Sequence, residues 1–264
     1  MNINELSITS LDSITAFGIN GGEQKFVLDE LQNATISNTQ ETVNLTGKGG
    51  RTIGTLKKNK AVKISGANGM VSLGLAGANI GDAGKSAEAT VKVADYLTVS
   101  GTEATTRYAA VGTAGNEIGT VFVKNPNGTT KKKLTQDATA AKGKFAYNPE
   151  TKKITFAEGD IEEGDEIVCW YSRKVAADVI SNVSDKYSDK LEMYVDATAE
   201  DKCHNEYHVQ FYLPYVDFTG NFDLALGSDQ TVHNFEGTSL PSSCGRGSSK
   251  FWDLIVFGED EATA

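Results

Sequence analysis

The sequence predicts a mainly β fold with one or two helices. Apolar residues recur at alternate positions over many short segments, which is the pattern of strands that bury one face. The 264 residues include 27 glycines and 4 prolines, a composition that suits the frequent turns of a strand-rich chain. Hydrophobic residues make up 39% and charged residues 23%, as in ordinary soluble proteins. The length is sufficient for one large β domain or two modest domains.

The first part of the chain, up to residue 99, contains a series of predicted strands. Segment 26–45 begins with a short apolar run and ends in a strand whose Val43 and Leu45 would be half-buried. An Ala-Asn-Gly turn separates the next two predicted strands. The alternating apolar residues from that point are Val62 and Ile64, then Val71, Leu73 and Leu75, then Val91, Val93, Leu97 and Val99.

The middle of the chain, residues 87–175, has the most regular pattern of strands and turns. Pro-Asn-Gly at 126–128 and Asn-Pro-Glu-Thr at 148–151 are turn sequences between strand-like segments. Large β-prone residues such as Phe156 and Trp170 suit the packing of one sheet on another. We therefore expect a β-rich block over 87–175, with residues 1–86 and 176–264 forming the remaining core.

The last part of the chain returns to longer strands, and helix candidates are few. Leu191, Met193 and Val195 alternate in one predicted strand. Two segments are candidate helices, 22–33 and 180–193, although the first could equally begin a strand and the second lacks a complete capping box.

The charge and the cysteine content indicate the environment and the partners that the protein is suited to. Lysine and arginine number 25 and aspartate and glutamate 35, which gives a net charge of -10 and a pI of about 4.9. Such a chain should not wrap DNA over its surface, but it could line a passage through which DNA slides without binding. The 3 cysteines are an odd, sparse set typical of a reducing cytoplasm. The first residues lack a basic start and include Glu5 and Asp12, so we expect neither a signal peptide nor a membrane span.

The segment 44–65 places glycines around Lys48 and so invites comparison with a phosphate-binding loop. Such a loop requires a G-x-x-x-x-G-K-[ST] sequence between a buried strand and a helix. Here neither serine nor threonine follows Lys48, and the residues after Gly50 resemble the start of a strand. The sequence instead predicts a flexible loop between strands. The nearby lysines would be either solvated strand edges or docking groups for an acidic patch on an identical neighbour.

A histidine and cysteine group in the last third is the one candidate metal site. If the segment were a strand, His204 and His208 would share a face, and Cys203 and Cys244 could join them. The alternative is that the histidines are polar strand residues and the cysteines small buried hydrophobes. Because the sequence lacks a close cysteine pair to anchor a metal, and lacks a catalytic arrangement, we expect no metal, no cofactor and no enzymatic activity.

Three stretches, taken in order, resemble the major tail tube proteins of tailed bacteriophages. Segment 28–77 has a strand, an LTG-GG loop and a K-A-x-x-I-S-G strand. Segment 118–171 is similar to the mid-chain β block of longer members. Segment 183–237 has a D-x-C sequence, an apolar strand and an F-x-G-x-F-D-L turn. Together these stretches cover most of the chain.

This resemblance implies a β-sandwich or barrel flanked by a helix, in a subunit whose rings of six stack into a hollow tube that conducts DNA. In the family a long loop between early strands reaches the adjacent ring. The corresponding residues here lie within Thr46–Lys60, and the expected inter-ring contacts are Thr46, Gly47, Lys48, Gly49, Gly50, Arg51, Lys57, Lys58 and Lys60. The block 87–175 exceeds the smallest members and would be an inserted outer lobe or additional strands of the main sheet.

The partners that the resemblance implies are other copies of the chain, the tape-measure protein and the DNA in the lumen. A tail sheath would be a partner only if the tail is contractile, and a membrane would not be one. The protein would be assembled in the host cytoplasm and reside in the virion tail. The alternatives are another virion component, such as a head-decoration or Ig-like adhesion protein, and a β-sandwich binding module or hydrolase.

Overall fold

The computed structural model describes residues 5–19, 22–225, 232–241 and 250–258. The chain divides into two compact units, one comprising Met1–Lys85 with Ile180–Ala264 and the other Ser86–Val179. Each unit contains its own sheet, and the described residues include one α-helix. The predicted mainly β fold is therefore confirmed.

The first unit contains one antiparallel sheet and the helix. Its strand order is β2-β1-β12-β13-β15-β4-β3, with β14 paired to β15 and β16 paired to β13. The elements of this unit are β1 (Ser7–Gly18), β2 (Gln24–Leu28), β3 (Leu31–Thr46), β4 (Thr52–Asn68), α1 (Leu73–Ile80), β12 (Lys190–Glu200), β13 (Glu206–Phe218), β14 (Leu224–Ala225), β15 (Val232–Ser239) and β16 (Asp253–Phe257).

The core of the first unit follows from strict alternation along β12. Leu191, Met193, Val195, Ala197 and Ala199 are all buried, whereas the residues between them remain partly exposed. Each large apolar side chain fully buried in this way contributes about 1.5–3 kcal/mol relative to its exposed state. The buried side chains that join them from other elements include Ile14, Leu28, Ile64, Leu75, Leu213 and Phe235.

The helix α1 lies where the sequence pattern predicted a strand. The Ser72 hydroxyl accepts a hydrogen bond from the Leu75 N–H at 3.2 Å, and Gly81, with φ 71°, ends the helix in the left-handed conformation. A Cβ at Gly81 would lie 1.9 Å from the Tyr187 carbonyl oxygen, so this position requires glycine. The apolar residues at 71–75 fit either period, and the two caps and the burial of Leu75 determine the outcome.

Neither predicted helix is a helix in the structure. Segment 22–33 forms β2 and the start of β3, because Phe26 and Leu28 alternate into the core. Segment 180–193 is irregular until β12 begins at Lys190, and its acidic and basic side chains bind neighbouring segments instead of forming a helix face.

The second unit contains a mixed sheet in the order β5-β11-β7-β8-β9-β10-β6. The β8–β9 pair is parallel, and the other strand pairs with a described register are antiparallel. The strands are β5 (Lys85–Thr98), β6 (Glu103–Thr105), β7 (Thr120–Lys124), β8 (Thr130–Gln136), β9 (Lys144–Asn148), β10 (Lys153–Phe156) and β11 (Glu166–Val179). Their inward side chains form a separate core that includes Val121, Leu134, Phe145, Ile154 and Ile167.

A buried carboxylate fixes the strand β5 in this unit. The Asp95 side chain is fully buried and accepts hydrogen bonds from the Tyr171 hydroxyl at 2.6 Å, from the Arg107 backbone N–H at 2.8 Å and from the Arg107 guanidinium. Burial alone would raise the pKa of Asp95, but the hydrogen bonds from Tyr171 and Arg107 outweigh it and lower the pKa. The charged carboxylate therefore holds β5, β11 and the segment around Arg107 together.

Candidate assembly surfaces

The strands β3 and β4 continue beyond the core as a two-stranded ribbon. They pair from Leu31 opposite Asn68 to Thr46 opposite Thr52. The last buried side chain of β4 towards the turn is Val62, and residues 39–61 contain no buried side chain on either strand. We call residues 39–61 the distal ribbon. At about 3.3 Å per residue it is about 25 Å long.

One face of the distal ribbon carries an apolar stripe. Val43 lies opposite Leu56, and Leu45 lies opposite Gly54. Cross-strand partners and residues two apart share a face of a strand pair, so Val43, Leu45 and Leu56 lie together. Their exposed fractions are 38%, 47% and 53%. Because an isolated two-stranded hairpin is at best marginally stable in water, this face lacks the cover that such a ribbon needs.

The turn of the ribbon contains the glycines of segment 44–65. Residues Lys48–Gly50 form a single 3-10 turn, and the Gly47 N–H donates to the Arg51 carbonyl at 2.7 Å. Gly49 and Gly50 have φ angles of 80° and 78°, which explains why glycine occurs at both positions. Strands lie on both sides of the turn, so the segment lacks the helix that a phosphate-binding loop requires.

The prediction of a flexible loop over Thr46–Lys60 is wrong for most of its length. Thr46 ends β3, and Lys57, Lys58 and Lys60 belong to β4. The alternating threonines and apolar residues give both strands β propensity, and the cross-strand hydrogen bonds replace a loose connection. The nine residues predicted to contact another ring thus form a tight turn and the two strands that carry it.

The positive charges of the distal ribbon are mostly unpaired within the subunit. Lys58 lies 3.8 Å from Glu41, whose carboxylate also accepts a hydrogen bond from Asn59 at 2.7 Å. Among the described residues, the remaining basic side chains of the ribbon form no ion pair; these are Lys48, Arg51, Lys57 and Lys60. The Lys60 ammonium lies 5.5 Å from the centre of the Phe251 ring.

A second surface is the face of β12 opposite to the core. Glu192, Tyr194, Asp196, Thr198 and Glu200 alternate with the buried residues and are partly exposed. We call these five residues the acidic face. Strands β1, β12, β13 and β16 contain Lys190 at the start of β12 as their only lysine or arginine. The carboxylates of these four strands are Asp12, Glu192, Asp196, Glu200, Glu206, Asp217 and Asp253.

Neighbouring strands fix the carboxylates of the acidic face. The hydroxyls of Tyr194 and Tyr212 both donate to Glu192, at 2.8 Å and 2.9 Å. Gln210 donates to Asp196 at 2.8 Å, and Ser13 donates to the same carboxylate at 3.3 Å. Burial and the bond to Glu192 raise the pKa of Tyr212, so this phenol remains a donor at neutral pH. The negative charges are therefore held in defined positions.

The candidate metal residues that the structure describes, Cys203, His204 and His208, do not form a common site. Cys203 and His204 lie in a turn where the Asp201 carboxylate accepts the Cys203 N–H at 2.7 Å, and His204 has a φ of 62°. The strand begins at Glu206, so His204 and His208 do not share a strand face. The His208 ring instead stacks on Phe257 with ring centres 5.6 Å apart.

Cys203 does not fit the alternative of a small buried residue. Cys203 is exposed, Cys169 is buried in the second unit, and Cys244 lies outside the described residues. Within residues 5–19, 22–225, 232–241 and 250–258, no group of three or more His, Cys, Asp or Glu side chains has the arrangement of a metal site.

One buried histidine was not anticipated from the sequence. His233 is fully buried, and its Nδ1 accepts a hydrogen bond from the Ser72 N–H at 3.3 Å, at the start of α1. Burial lowers the pKa of His233, because the charged form would lose its hydration. The residues beside His233 in β15 do not indicate that it is buried, because the helix that His233 contacts is distant in sequence.

The comparison with known families identifies the family of the chain. No helix among the described residues has the length and apolar character to cross a membrane. No curated protein was found to match the chain. The sequence matches the YomU/Tube protein family over residues 8–251, a range that includes all three stretches similar to phage tail tube proteins. The match confirms that resemblance and indicates a structural protein of a phage tail tube. The chain belongs to the YomU/Tube protein family.

Proposed function

We propose that this chain is the subunit of hexameric rings that stack into the hollow phage tail tube and conduct DNA. The observation that carries the proposal is the uncovered apolar stripe of the distal ribbon. A subunit that functioned alone would gain no stability from extending Val43, Leu45 and Leu56 into water on a two-stranded ribbon. A second copy of the chain supplies the missing cover when the tube assembles.

The ribbon contacts the adjacent ring through its tip and its apolar stripe. The tight turn at Gly47–Arg51 projects Lys48 and Arg51, while Lys57 and Lys60 lie further along β4. These groups have no ion-pair partner among the described residues of their own subunit, so they are free to pair with carboxylates of the neighbouring copy. The acidic balance of the chain makes such carboxylates abundant.

Ring formation covers the edges of the main sheet. β2 and β3 are the two ends of its strand order, and the outer edge of each has no partner among the described strands. Open edges of this kind favour pairing with another chain, and closed rings use them without open-ended aggregation. We assign residues 1–86 and 176–264 to the tube core and 87–175 to an outer lobe.

The acidic face lines the lumen in this proposal. A surface with fixed carboxylates and almost no basic residues repels the phosphates of DNA, so the genome passes without being held. The hydrogen bonds to Glu192 and Asp196 hold both carboxylates in fixed positions on this surface. The role is geometric and electrostatic, and it requires neither a cofactor nor catalysis.

The remaining partners follow from this assignment. The tape-measure protein and DNA occupy the lumen in turn, and a sheath surrounds the tube only if the tail is contractile. Assembly takes place in the host cytoplasm, and the product is the tail of the virion.

Electron microscopy of the purified chain over a range of concentrations tests the proposal. We expect rings of six subunits and stacked tubes whose abundance rises with concentration, and we expect the distal ribbon at the contact between rings. A chain that stays monomeric at high concentration, or density for this chain on capsids and not in tails, would overturn the proposal.

A further inference from the structure

The second unit contains a cleft that is lined by an exposed aromatic ring and by charged and polar side chains. The cleft has a volume of about 340 Å³, and its walls are formed by β5, β11 and the turn that joins β7 to β8. This volume is within the usual range of small-molecule sites, roughly 300–1,000 Å³. The residues relevant here are Tyr96 and Thr98 from β5, Lys124 and Asn125 at the end of β7, and Glu166 and Val168 from β11.

Tyr96 provides an exposed aromatic surface that folding does not require. Its side chain is 75% exposed, although the Val168 side chain beside the same cleft is buried. Tyr96 follows Asp95, whose buried carboxylate is held by Tyr171 and Arg107. The backbone that carries the Tyr96 ring is therefore fixed, and a ligand would lose little free energy in ordering it.

The apolar surface continues along the same face of the sheet. Val168 lies opposite Phe122, and Trp170 is two residues further along β11. The rings of Phe122 and Trp170 meet edge to face with centres 5.8 Å apart, and Trp170 remains 42% exposed. Aromatic and apolar groups thus extend from the cleft across three strands.

The two charged side chains of the cleft are available to a ligand. In the part of the chain that the structure describes, Lys124 and Glu166 form neither an ion pair nor a side-chain hydrogen bond. By contrast, Lys131 on the adjacent strand β8 is paired with Asp165 at 3.3 Å. The Asn125 amide nitrogen donates to Thr129 at 2.9 Å, which leaves its side-chain oxygen available to accept.

This combination of groups identifies the chemical class of the ligand. A pyranose has an apolar C–H face that stacks on an aromatic ring, and hydroxyls at its edge that both donate and accept hydrogen bonds. Tyr96 fits the apolar face, the Lys124 ammonium donates, and Glu166 and Asn125 accept. Glu166 disfavours an anion, and the polar groups would be left unpaired beneath a purely apolar ligand. We propose that this cleft binds an uncharged saccharide, with Tyr96 as the stacking platform.

Saturation-transfer NMR on the full-length chain tests this site with defined sugars. The probes are the methyl glycosides of glucose, galactose, N-acetylglucosamine and rhamnose, each offered singly. For a ligand of this size we expect a dissociation constant of the order of 1 mM for at least one glycoside. Tyr96→Ala should weaken that binding by at least about tenfold, whereas Tyr96→Phe should retain it because the ring is preserved.

A matched control separates this site from unspecific contact with exposed tyrosines. Tyr187 is 81% exposed and belongs to the other unit, so Tyr187→Ala should leave sugar binding unchanged. Circular dichroism should show that all three variants remain folded. The proposal is overturned if none of the four glycosides receives saturation, if Tyr96→Ala binds as well as the unaltered chain, or if Tyr187→Ala loses binding equally. The site does not depend on assembly into rings, so these outcomes leave the proposed tube function untouched.

Discussion

Replacing Val43 and Leu56 together by threonine should weaken stacking of the subunits without unfolding them. The two residues lie opposite each other on the apolar face of the distal ribbon. Threonine has the β-branched shape of valine and a high strand propensity at both positions, but its hydroxyl cannot be buried without a partner. The substitution V43T/L56T therefore removes the apolar contact and preserves the ribbon.

The size of the effect follows from the exposure of the two side chains. Val43 and Leu56 are 38% and 53% exposed, so about half of each side chain remains to be covered by a neighbour. Full burial of such a side chain contributes about 1.5–3 kcal/mol, which leaves about 1 kcal/mol for each residue in the assembly. A total of about 2 kcal/mol per subunit corresponds to a roughly 30-fold higher concentration for polymerisation.

Sedimentation velocity combined with electron microscopy over a concentration series measures this shift. The control is Asn44→Thr with Thr55→Ser, a pair that lies on the opposite face of the same ribbon and should polymerise at the original concentration. Thermal unfolding of the dilute protein should change little, since exposed substitutions alter the free energy of unfolding by about 0.5 kcal/mol or less. If V43T/L56T forms tubes at the same concentration as the unaltered chain, the apolar stripe is not the contact.

Three further predictions concern charges. Burial depresses the pKa of His233 below its ordinary value of 6.5, so the unfolded chain binds a proton that the folded chain excludes. The free energy of unfolding should therefore be retained above pH 6.5 and decline as the pH falls below it. Denaturant titrations of His233→Asn should lack this decline with pH. Asp95→Asn should lower the free energy of unfolding by about 2 kcal/mol in thermal denaturation, less than for a fully buried ion pair because Arg107 is 62% exposed; an unchanged melting temperature would contradict the stabilising role of this carboxylate. Assembled Asp196→Lys should bind short duplex DNA at low salt in fluorescence anisotropy, whereas the unaltered tube should not; equal binding by both would argue against a repulsive lumen.

The local pattern of the sequence predicted β structure well where a strand has one buried face within the subunit. The alternation along β12 appears in the structure as five buried residues. The same rule indicated that Val43 and Leu45 face an apolar environment, but both remain exposed in the single chain. A sequence pattern records that a face is apolar and does not say whether the covering atoms belong to the same chain.

The helix α1 and the burial of His233 were missed for one physical reason. In Leu73–Ile80 the apolar residues fit a period of two or of 3.6, and the decision depended on a Ser72 cap and a Gly81 stop that also occur in turns. The burial of His233 depended on contact with that helix, from which about 160 residues separate it. Such placements are fixed by tertiary contacts, which periodicity does not encode.

The pairing of β5 with β11 has a consequence for the evolution of this protein. These are the first and last strands of the unit Ser86–Val179, they are neighbours in its sheet, and Ser86 contacts Asp178 near the two ends. The chain therefore enters and leaves that unit at adjacent points. A segment with such closely spaced ends can be gained, lost or exchanged as one cassette through a single recombination event, and its junctions are suitable sites for displaying a foreign domain.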